Sequence, residues 1–478
     1  MYAIKFGTDG WRASIADDYT FENVRYCAQG TAETLIAEGL AERGMVIGYD
    51  MRFRSEDFAR AVAEVLAGNG IRAYVAKVAA PTPVMSYSII PLNAGGGVWI
   101  TASHNPATDN GYKLRSSYAC AAAPETLAAV EANIAAAQAR AEVKRMAYGE
   151  ALRAGLVHEF DPNEPYLEQL HRLIDVTPLR AAGLKIISDP MWGVGQGWFT
   201  GLLNGDKTEV IEIHGERNPL FPRMRRPEPI DENLQDLLAE IRAQHADAGL
   251  ATDGDADRVG FADEHGNFVN QLRVYALLAY YLLEVRGERG PLVKTISTTT
   301  MANKLAKHYG IEVYETQVGF KFVAPEMLRV NALLGGEESG GFAFRGHIPE
   351  RDGILAGLYL LDLMGKRGKT PSQLIDELFA LVGPHYYDRV DRPLNEADKP
   401  NVIETVRAAR PAEMGGLKVE RIEQEGGFRY LLEDGNWVLI RFSGTEAVIR
   451  VYCETTREER VPKLLNAGLR LAGLPTED

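Results

Sequence analysis

The segment 44–78 constrains the fold more than any other part of the chain. "GMVIGYD" (44–50) is a short apolar run that closes on Asp50, the pattern of a buried strand. "SEDFARAVAEVLAGNG" (55–70) follows, with Phe58, Val62, Val65 and Leu66 at helical spacing. Ser55 is the expected N-cap, and Gly68 or Gly70 the expected stop. "IRAYVAKV" (71–78) then returns to a strand pattern. A strand, a helix and a strand in succession call for a parallel or mixed sheet covered by helices. The same helix-then-strand order recurs in "MANKLAKHYGIEVYET" (301–316), a weak echo of 58–76 that reads as two domains on one plan.

At 478 residues the chain has room for three or four domains of roughly 150 residues or fewer. A formal net charge of −14 argues against wholesale nucleic-acid binding, although a local basic pocket can still hold an anion. "MYAIKFGTDGWR" has no apolar core of a secretory signal. The longest apolar run, "YALLAYYLLEV" (275–285), falls short of the roughly 18–20 residues that span a bilayer. It reads as a buried helix, and no membrane partner is expected. Cys27, Cys120 and Cys453 are scattered and form no CxxC, so they read as buried thiols in a reducing cytoplasm.

Composition sets the expected boundaries. "HEFDPNEPYLEQL" (158–170) is polar and proline-bearing and reads as a connection between domains. A second α/β unit opens at "LKIISDPMWGVGQG" (184–197) and crosses the Pro- and Arg-rich loop 218–234. A third follows from about 259. The tail "FRYLLEDGNWVLIRFSGTEAVIRVYCET" (428–455) reads as strands joined by Asp-Gly and Ser-Gly turns, closed by a helix in 460–473. The expected architecture is three α/β domains, 1–157, 158–258 and 259–378, followed by a small α+β domain, 379–478.

Four loops are candidates for chemistry. In "TASHNP" (101–106), Ser103 follows the strand-like "GGVWI", at a strand's C-terminal end where open α/β sheets bind ligands. It lacks the G-x-S-x-G elbow of a hydrolase, and adjacency alone does not make His104 its base. A polar turn is the plainer reading. In "ATDGDADRVGF" (251–261), Asp253, Asp255 and Asp257 alternate, so an extended segment turns all three carboxylates to one side. Such crowding calls for a hard cation such as Mg²⁺ or Ca²⁺. An EF-hand is excluded, because Arg258 stands where that loop needs glycine. In "LLGGEESGGFAF" (333–344), glycines flank Glu337, Glu338 and Ser339, residue types that match sugar hydroxyls. A plain Gly-rich turn fits equally well. In "RFSGTEAVIR" (441–450), a Ser-Gly-Thr turn lies between Arg441 and Arg450, a set that suits a phosphate but also fits an ordinary hairpin.

A metal site, a sugar-like loop and a phosphate-like loop suit phosphoryl transfer better than acyl transfer. "FGTDGWR", "TASHNP", "NGYK", "DGDADR", "GGEESGG" and "RFSGTE" also occur in that order. In this the chain resembles the α-D-phosphohexomutases, the phosphoglucomutase/phosphomannomutase superfamily, from about residue 5 to 455. The resemblance implies four domains around a central cleft. It implies that Ser103 is a phosphoserine, the phosphoryl donor and acceptor, and that Asp253, Asp255 and Asp257 hold Mg²⁺ together with its oxygen. Glu337 and Ser339 would bind sugar hydroxyls. Arg441, Ser443, Gly444, Thr445 and Arg450 would grip the non-reacting phosphate. Lys113 would be a general acid/base candidate, a role left open among Lys113, Lys321 and His347, with Arg12 and Arg258 on the reacting phosphoryl group. His347 is carried over as a further catalytic residue, and Thr8, His104 and Lys321 as substrate contacts.

The implied reaction interconverts hexose 1-phosphate and hexose 6-phosphate, with a hexose 1,6-bisphosphate as intermediate and activator. Within the family, GEESxG loops are more like the glucose enzymes, GEMSG marks dual glucose/mannose use and GEQSG glucosamine. "GGEESGG" therefore favours glucose, with a phosphomannomutase or dual-specificity mutase as the alternative. A glucose-1,6-bisphosphate synthase or a metal-dependent phosphatase would use the same residues. A non-catalytic sensor would be expected to lack Ser103 or one of the aspartates, and all are present. The expected partners are small hexose phosphates, with no nucleic acid, and the expected state is a monomer or homodimer.

Overall fold

A computed structural model describes residues 3–7, 10–443 and 448–476 of the chain. The opening segment folds as its pattern requires. Met45–Tyr49 and Ala73–Ala76 are parallel neighbours, joined by the helix Ser55–Gly68. Phe58, Val62, Val65 and Leu66 are all buried beneath that helix. Ser55 is the first helical residue rather than the cap. Arg54 takes the cap position with a left-handed backbone, and the Ser55 hydroxyl donates to Asp50 at 2.8 Å.

Three units share one strand plan. Each has a first strand, a helix, a second strand, a helix, a third strand, and a fourth strand that returns antiparallel. The first strands are Met45–Tyr49, Lys185–Asp189 and Leu292–Thr295. The second strands, Ala73–Ala76, Glu209–Glu212 and Val313–Thr316, pair parallel to them on one side. The third strands, Gly96–Ile100, Ala248–Thr252 and Leu334–Gly336, pair parallel on the other. The returns are Asp109–Ser116, Val259–Ala262 and Phe342–Phe344. The echo between 58–76 and 301–316 is thus the first helix and second strand of two such units. The plan extends to a third unit that the echo did not reach.

Two expected boundaries move. Val157–Phe160 is not a linker but an edge strand, parallel to Ala73–Ala76, so the first sheet runs past 157. Its polar residues, His158 and Glu159, face solvent from that edge, which is why the stretch reads as a connection. The second sheet runs past 258 through Val259–Ala262 to Phe268–Val269. A continuous apolar core joins the three units, drawing on Trp99 and Met85, on Ile186 and Phe199, and on Tyr275, Ile354 and Leu358. The apolar run 275–285 lies in it, buried throughout Tyr275–Leu283.

The last domain is an antiparallel sheet of six strands from Tyr386–Pro393 to Val448–Thr455. It has its own core, completed by the helix Val461–Leu471. Polar clamps dock it on the third unit. Glu454 accepts from Thr300 N (2.8 Å), Thr300 Oγ1 (2.7 Å) and Trp437 Nε1 (3.0 Å). Arg429 donates to Glu315 at 2.5 Å, and Glu315 also pairs with buried Lys294 at 2.8 Å. Cys27, Cys120 and Cys453 are buried free thiols.

Burial alone would raise the Glu315 carboxyl, but Lys294 and Arg429 overturn that and hold it at about 2, against 4.5 ordinarily. A depressed carboxylate stabilises the folded state above its unfolded value, and that stability is lost as pH falls toward the folded value. The clamp is therefore expected to weaken between about pH 4.5 and 2. Urea melts across that window should show a shallower pH slope for Glu315→Gln than for the wild type. Equal slopes would contradict the assignment.

Candidate active site

The three loops joining third strand to returning strand, 101–108, 253–258 and 337–341, carry the serine, the aspartates and the Gly-flanked glutamates. They occupy equivalent places in the three units, at the C-terminal ends of parallel strands where open sheets take ligands.

The first loop is held from beneath by Arg52, a side chain only 1% exposed. Its guanidinium donates to the carbonyls of Ser103 and Asn105, both at 2.6 Å, of Pro106 at 2.7 Å and of Asp109 at 3.0 Å. Asp50 pairs with it at 3.3 Å, and Phe221 from the second unit covers it at 4.9 Å. Ser103 has φ of +53°, a left-handed conformation that costs a non-glycine residue about 1–2 kcal/mol. Arg52 on its carbonyl and Thr101 Oγ1 on its N–H (2.9 Å) fix that conformation. Sequence reasoning missed Arg52, because its partners are backbone carbonyls with no side-chain signature.

Held this way, Ser103 Oγ donates to Asp253 Oδ2 at 2.9 Å, across 150 residues of chain. His104 Nδ1 lies 3.2 Å from the same oxygen. Adjacency in sequence did not promise that geometry, and the loop's turn supplies it. Burial and the surrounding Arg258, Arg12, Arg226 and Lys113 hold the His104 pKa well below its ordinary value, so the ring is neutral near pH 7. Arg12 anchors to Asn105 Oδ1 at 2.7 Å. Gly254 is obligatory, because a Cβ there would sit 2.5 Å from the Ser103 carbonyl oxygen.

Asp253, Asp255 and Asp257 are each at most 1% exposed, and each offers an oxygen within 4.8 Å of the others. Asp253 Oδ1 accepts the N–H groups of Asp257 (3.0 Å) and Arg258 (3.1 Å). Lys113, itself fully buried, reaches Asp255 at 2.9 Å and Asp257 at 3.7 Å. Thr82 donates to Asp255 at 2.8 Å. Arg351 reaches Asp257 at 2.8 Å. Burial and the two neighbouring carboxylates push the Asp253 pKa well up. Burial pushes Asp257 up, while Lys113 helps overturn the effect of burial on Asp255 and holds it low. Asp255 Oδ1 and Asp257 Oδ1 are buried and accept no hydrogen bond among the described residues. Buried, clustered, unpartnered carboxylate oxygens fit a hard divalent cation. Glu264, which an EF-hand would need, is bonded instead to Thr370 and Ser372.

Arg258 pairs with Glu228 at 3.1 Å and lies 4.0 Å from Asp253. Glu337 is buried, accepts from Gly319 N at 3.0 Å, and lies 3.9 Å from Arg351. Ser339 is half-buried beside it. Lys321 is half-buried, its ammonium 5.1 Å from the Phe322 ring. His347 is not brought to the serine. Its ring is enclosed against Tyr87 and Tyr166, and Nε2 lies 3.0 Å from Asp352. Asp352 caps the helix Gly353–Arg367, whose first N–H, from Gly353, is bonded to the Ala256 carbonyl of the aspartate loop at 3.2 Å. Arg351, four residues on in "HIPERDG", is the side chain from that segment that reaches the cluster.

In the last domain, Arg441 and Arg450 stand directly opposite on neighbouring strands. Like charges in that register repel, and an anion relieves them. Arg450 leans on Asp391 at 3.2 Å, and Arg441 on the Tyr452 hydroxyl at 3.4 Å. The Ser443 carbonyl accepts from Lys399 at 2.9 Å. Gly444, Thr445 and Thr8 lie outside the described residues.

Known proteins match this arrangement domain by domain. Sequence models of the phosphoglucomutase/phosphomannomutase α/β/α domains I, II and III match residues 3–141, 164–266 and 271–382, and that of the C-terminal domain matches 392–467. A phosphoglucomutase/phosphomannomutase of Thermococcus kodakarensis is 32% identical over 466 residues, 98% of each chain. A probable phosphoglucosamine mutase of Methanothermobacter thermautotrophicus is 30% identical, covering 95% of this chain and 94% of its own. The crystal structure of a putative phosphomannomutase from Thermus thermophilus superposes with a TM-score of 0.85 at 34% identity, over 99% of both chains. The chain belongs to the phosphoglucomutase/phosphomannomutase family of the α-D-phosphohexomutase superfamily. It is a phosphohexomutase, with an acidic cluster whose geometry fits a metal ion.

A cation that binds only the folded cluster stabilises the fold. Saturating Mg²⁺ or Mn²⁺ after chelation should raise the melting temperature by at least about 2 °C. Asp257→Asn should lose most of that rise. An undiminished rise in the variant would place the ion elsewhere.

Proposed function

We propose that this phosphohexomutase interconverts glucose 1-phosphate and glucose 6-phosphate through phosphoserine 103 and a glucose 1,6-bisphosphate intermediate. The observation that carries the reading is the 2.9 Å contact of Ser103 Oγ with Asp253, inside the triple-aspartate cluster. A serine held on an acidic metal cluster suits phosphoryl transfer, where positioning and charge neutralisation do most of the work. Magnesium held by Asp253, Asp255, Asp257 and the Ser103 oxygen would draw charge from the phosphoryl oxygens.

In the cycle, a sugar hydroxyl attacks the phosphorus, its P–O bond forms, and the bond to Ser103 Oγ breaks. The hydroxyl proton passes to Lys113 as a neutral amine, a form it would take once a divalent cation on Asp255 and Asp257 replaced the charge its ammonium balances there; that place beside the cluster supports it over His347 as the acid/base group. Arg12 and Arg258 flank the phosphoryl group. The bisphosphate then turns end for end, and its other phosphate returns to Ser103 Oγ as Lys113 gives back the proton. Arg441 and Arg450 hold whichever phosphate is not reacting, and Glu337 and Ser339 hold sugar hydroxyls. Glucose is favoured by the GEES loop, while the relatives' names span glucose, mannose and glucosamine phosphates. Three buried free thiols support a reducing, cytoplasmic setting.

Ser103→Ala is expected to cut mutase turnover to below about a thousandth of wild type, and wild-type turnover in the variant would end the reading. Lys113→Met should lower kcat by about 100-fold or more, with His347→Gln well below that. Equal losses would remove the distinction. Comparing kcat/KM for glucose 1-phosphate, mannose 1-phosphate and glucosamine 1-phosphate tests the sugar, glucose being expected highest. Steady phosphate release without isomerisation would point to a phosphatase.

A further inference from the structure

Glu338 is the middle residue of the Gly-flanked loop, yet its carboxylate turns away from Glu337 and toward the last domain. One oxygen accepts both the Tyr387 hydroxyl at 2.6 Å and Arg389 Nη1 at 3.1 Å. Tyr387, Arg389 and Asp391 alternate along the strand Tyr386–Pro393, so all three face one side. Arg389 pairs with Asp391 at 2.9 Å, and Asp391 pairs with Arg450 at 3.2 Å. Arg450 stands opposite Arg441. Arg389 also lies 6.0 Å from the ring of Tyr452, whose hydroxyl receives Arg441. A row of charged contacts thus runs from the sugar loop to Arg450, and Tyr452 links it to Arg441.

We infer that Glu338 is a positioning residue that latches the phosphate-gripping sheet to the sugar loop and couples their occupancy. The inference rests on the proposed reading of Arg441 and Arg450 as the phosphate grip. An anion arriving at those arginines competes with Asp391 for Arg450. Asp391, no longer shared with Arg450, then pairs with Arg389 alone and holds that side chain in place against Glu338, which stiffens the sugar loop. The cluster between Arg389 and Glu338 is only 12–22% exposed, so bulk solvent screens it weakly. During turnover the bisphosphate must be released by one grip and regained by the other. A latch that ties the two keeps the cleft from opening while the sugar turns, which retains the intermediate.

Hydrogen exchange on the full-length enzyme tests this with inorganic phosphate as the probe. In wild type, phosphate should slow exchange in the strands Trp437–Phe442 and Val448–Thr455 and also in the loop 337–341, the latter by about fivefold or more. In Glu338→Gln the strands should still be protected, but the loop should not. Tyr387→Phe keeps the charge, removes one hydrogen bond, and should give an intermediate effect. In turnover, Glu338→Gln should release at least about fivefold more glucose 1,6-bisphosphate per isomerisation and raise KM more than it lowers kcat. Equal loop protection in wild type and both variants would overturn the latch. Failure of phosphate to protect the arginine strands in wild type would overturn the grip and the latch with it. Absence of phosphoserine 103 would instead overturn the catalytic cycle and leave the phosphate-coupling result standing. If Glu338→Gln does not fold, Tyr387→Phe decides.

Discussion

The burial of three carboxylates on one six-residue loop is the constraint on which the rest of the structure depends. Asp253, Asp255 and Asp257 are nearly inaccessible and within a few ångströms of one another. Left alone, such a cluster would stay protonated or unfold the loop. Its compensation comes from every side. Lys113 and Thr82 arrive from the first unit, Arg258 from the loop itself and Arg351 from the third unit. The same contacts that make the charge tolerable weld three units around one point. Electrostatic need and domain assembly are therefore one requirement.

One plan used three times explains why the site has parts of different chemistry in equivalent places. In each unit the loop after the third strand is free to vary without disturbing the parallel core. The first unit put a serine there, the second the aspartates, the third the glutamate-serine pair. The shared apolar core turns the three loops toward a common centre. The fourth domain follows different rules, with an antiparallel sheet and its own core. It reaches the others through discrete polar clamps such as Glu454 on Thr299 and Thr300, and Glu338 on Tyr387 and Arg389. Such contacts fix the fourth domain by a few directional bonds, which suits the proposed role of holding either end of a sugar bisphosphate.

Much of this was legible in the sequence, for definite reasons. Strands such as Met45–Tyr49 are buried along their whole length and so read as apolar runs, and the helix Ser55–Gly68 shows its period. Alternating aspartates announce crowding whatever the fold. The triple repeat was less visible, because the second unit's first helix, Trp198–Leu203, is only six residues long and leaves little pattern to match. Edge strands with exposed polar residues, such as Val157–Phe160, look like linkers. Arg52 was silent because carbonyls, which any residue supplies, are its partners. His347 and Arg351 show the opposite limit. Both stand in a recognisable segment, and only packing reveals that the histidine is walled in by tyrosines while the arginine reaches the aspartates.

The central claim is that Ser103 carries the phosphoryl group between two ends of a sugar. The direct measurement is a label chase. Enzyme incubated with glucose 1,6-bisphosphate labelled in its phosphates is digested, and the labelled peptide is identified before and after unlabelled glucose 1-phosphate is added. The account predicts label on the peptide containing Ser103, then its transfer to sugar phosphate on the chase. Label on another residue, or its loss as inorganic phosphate, would contradict it.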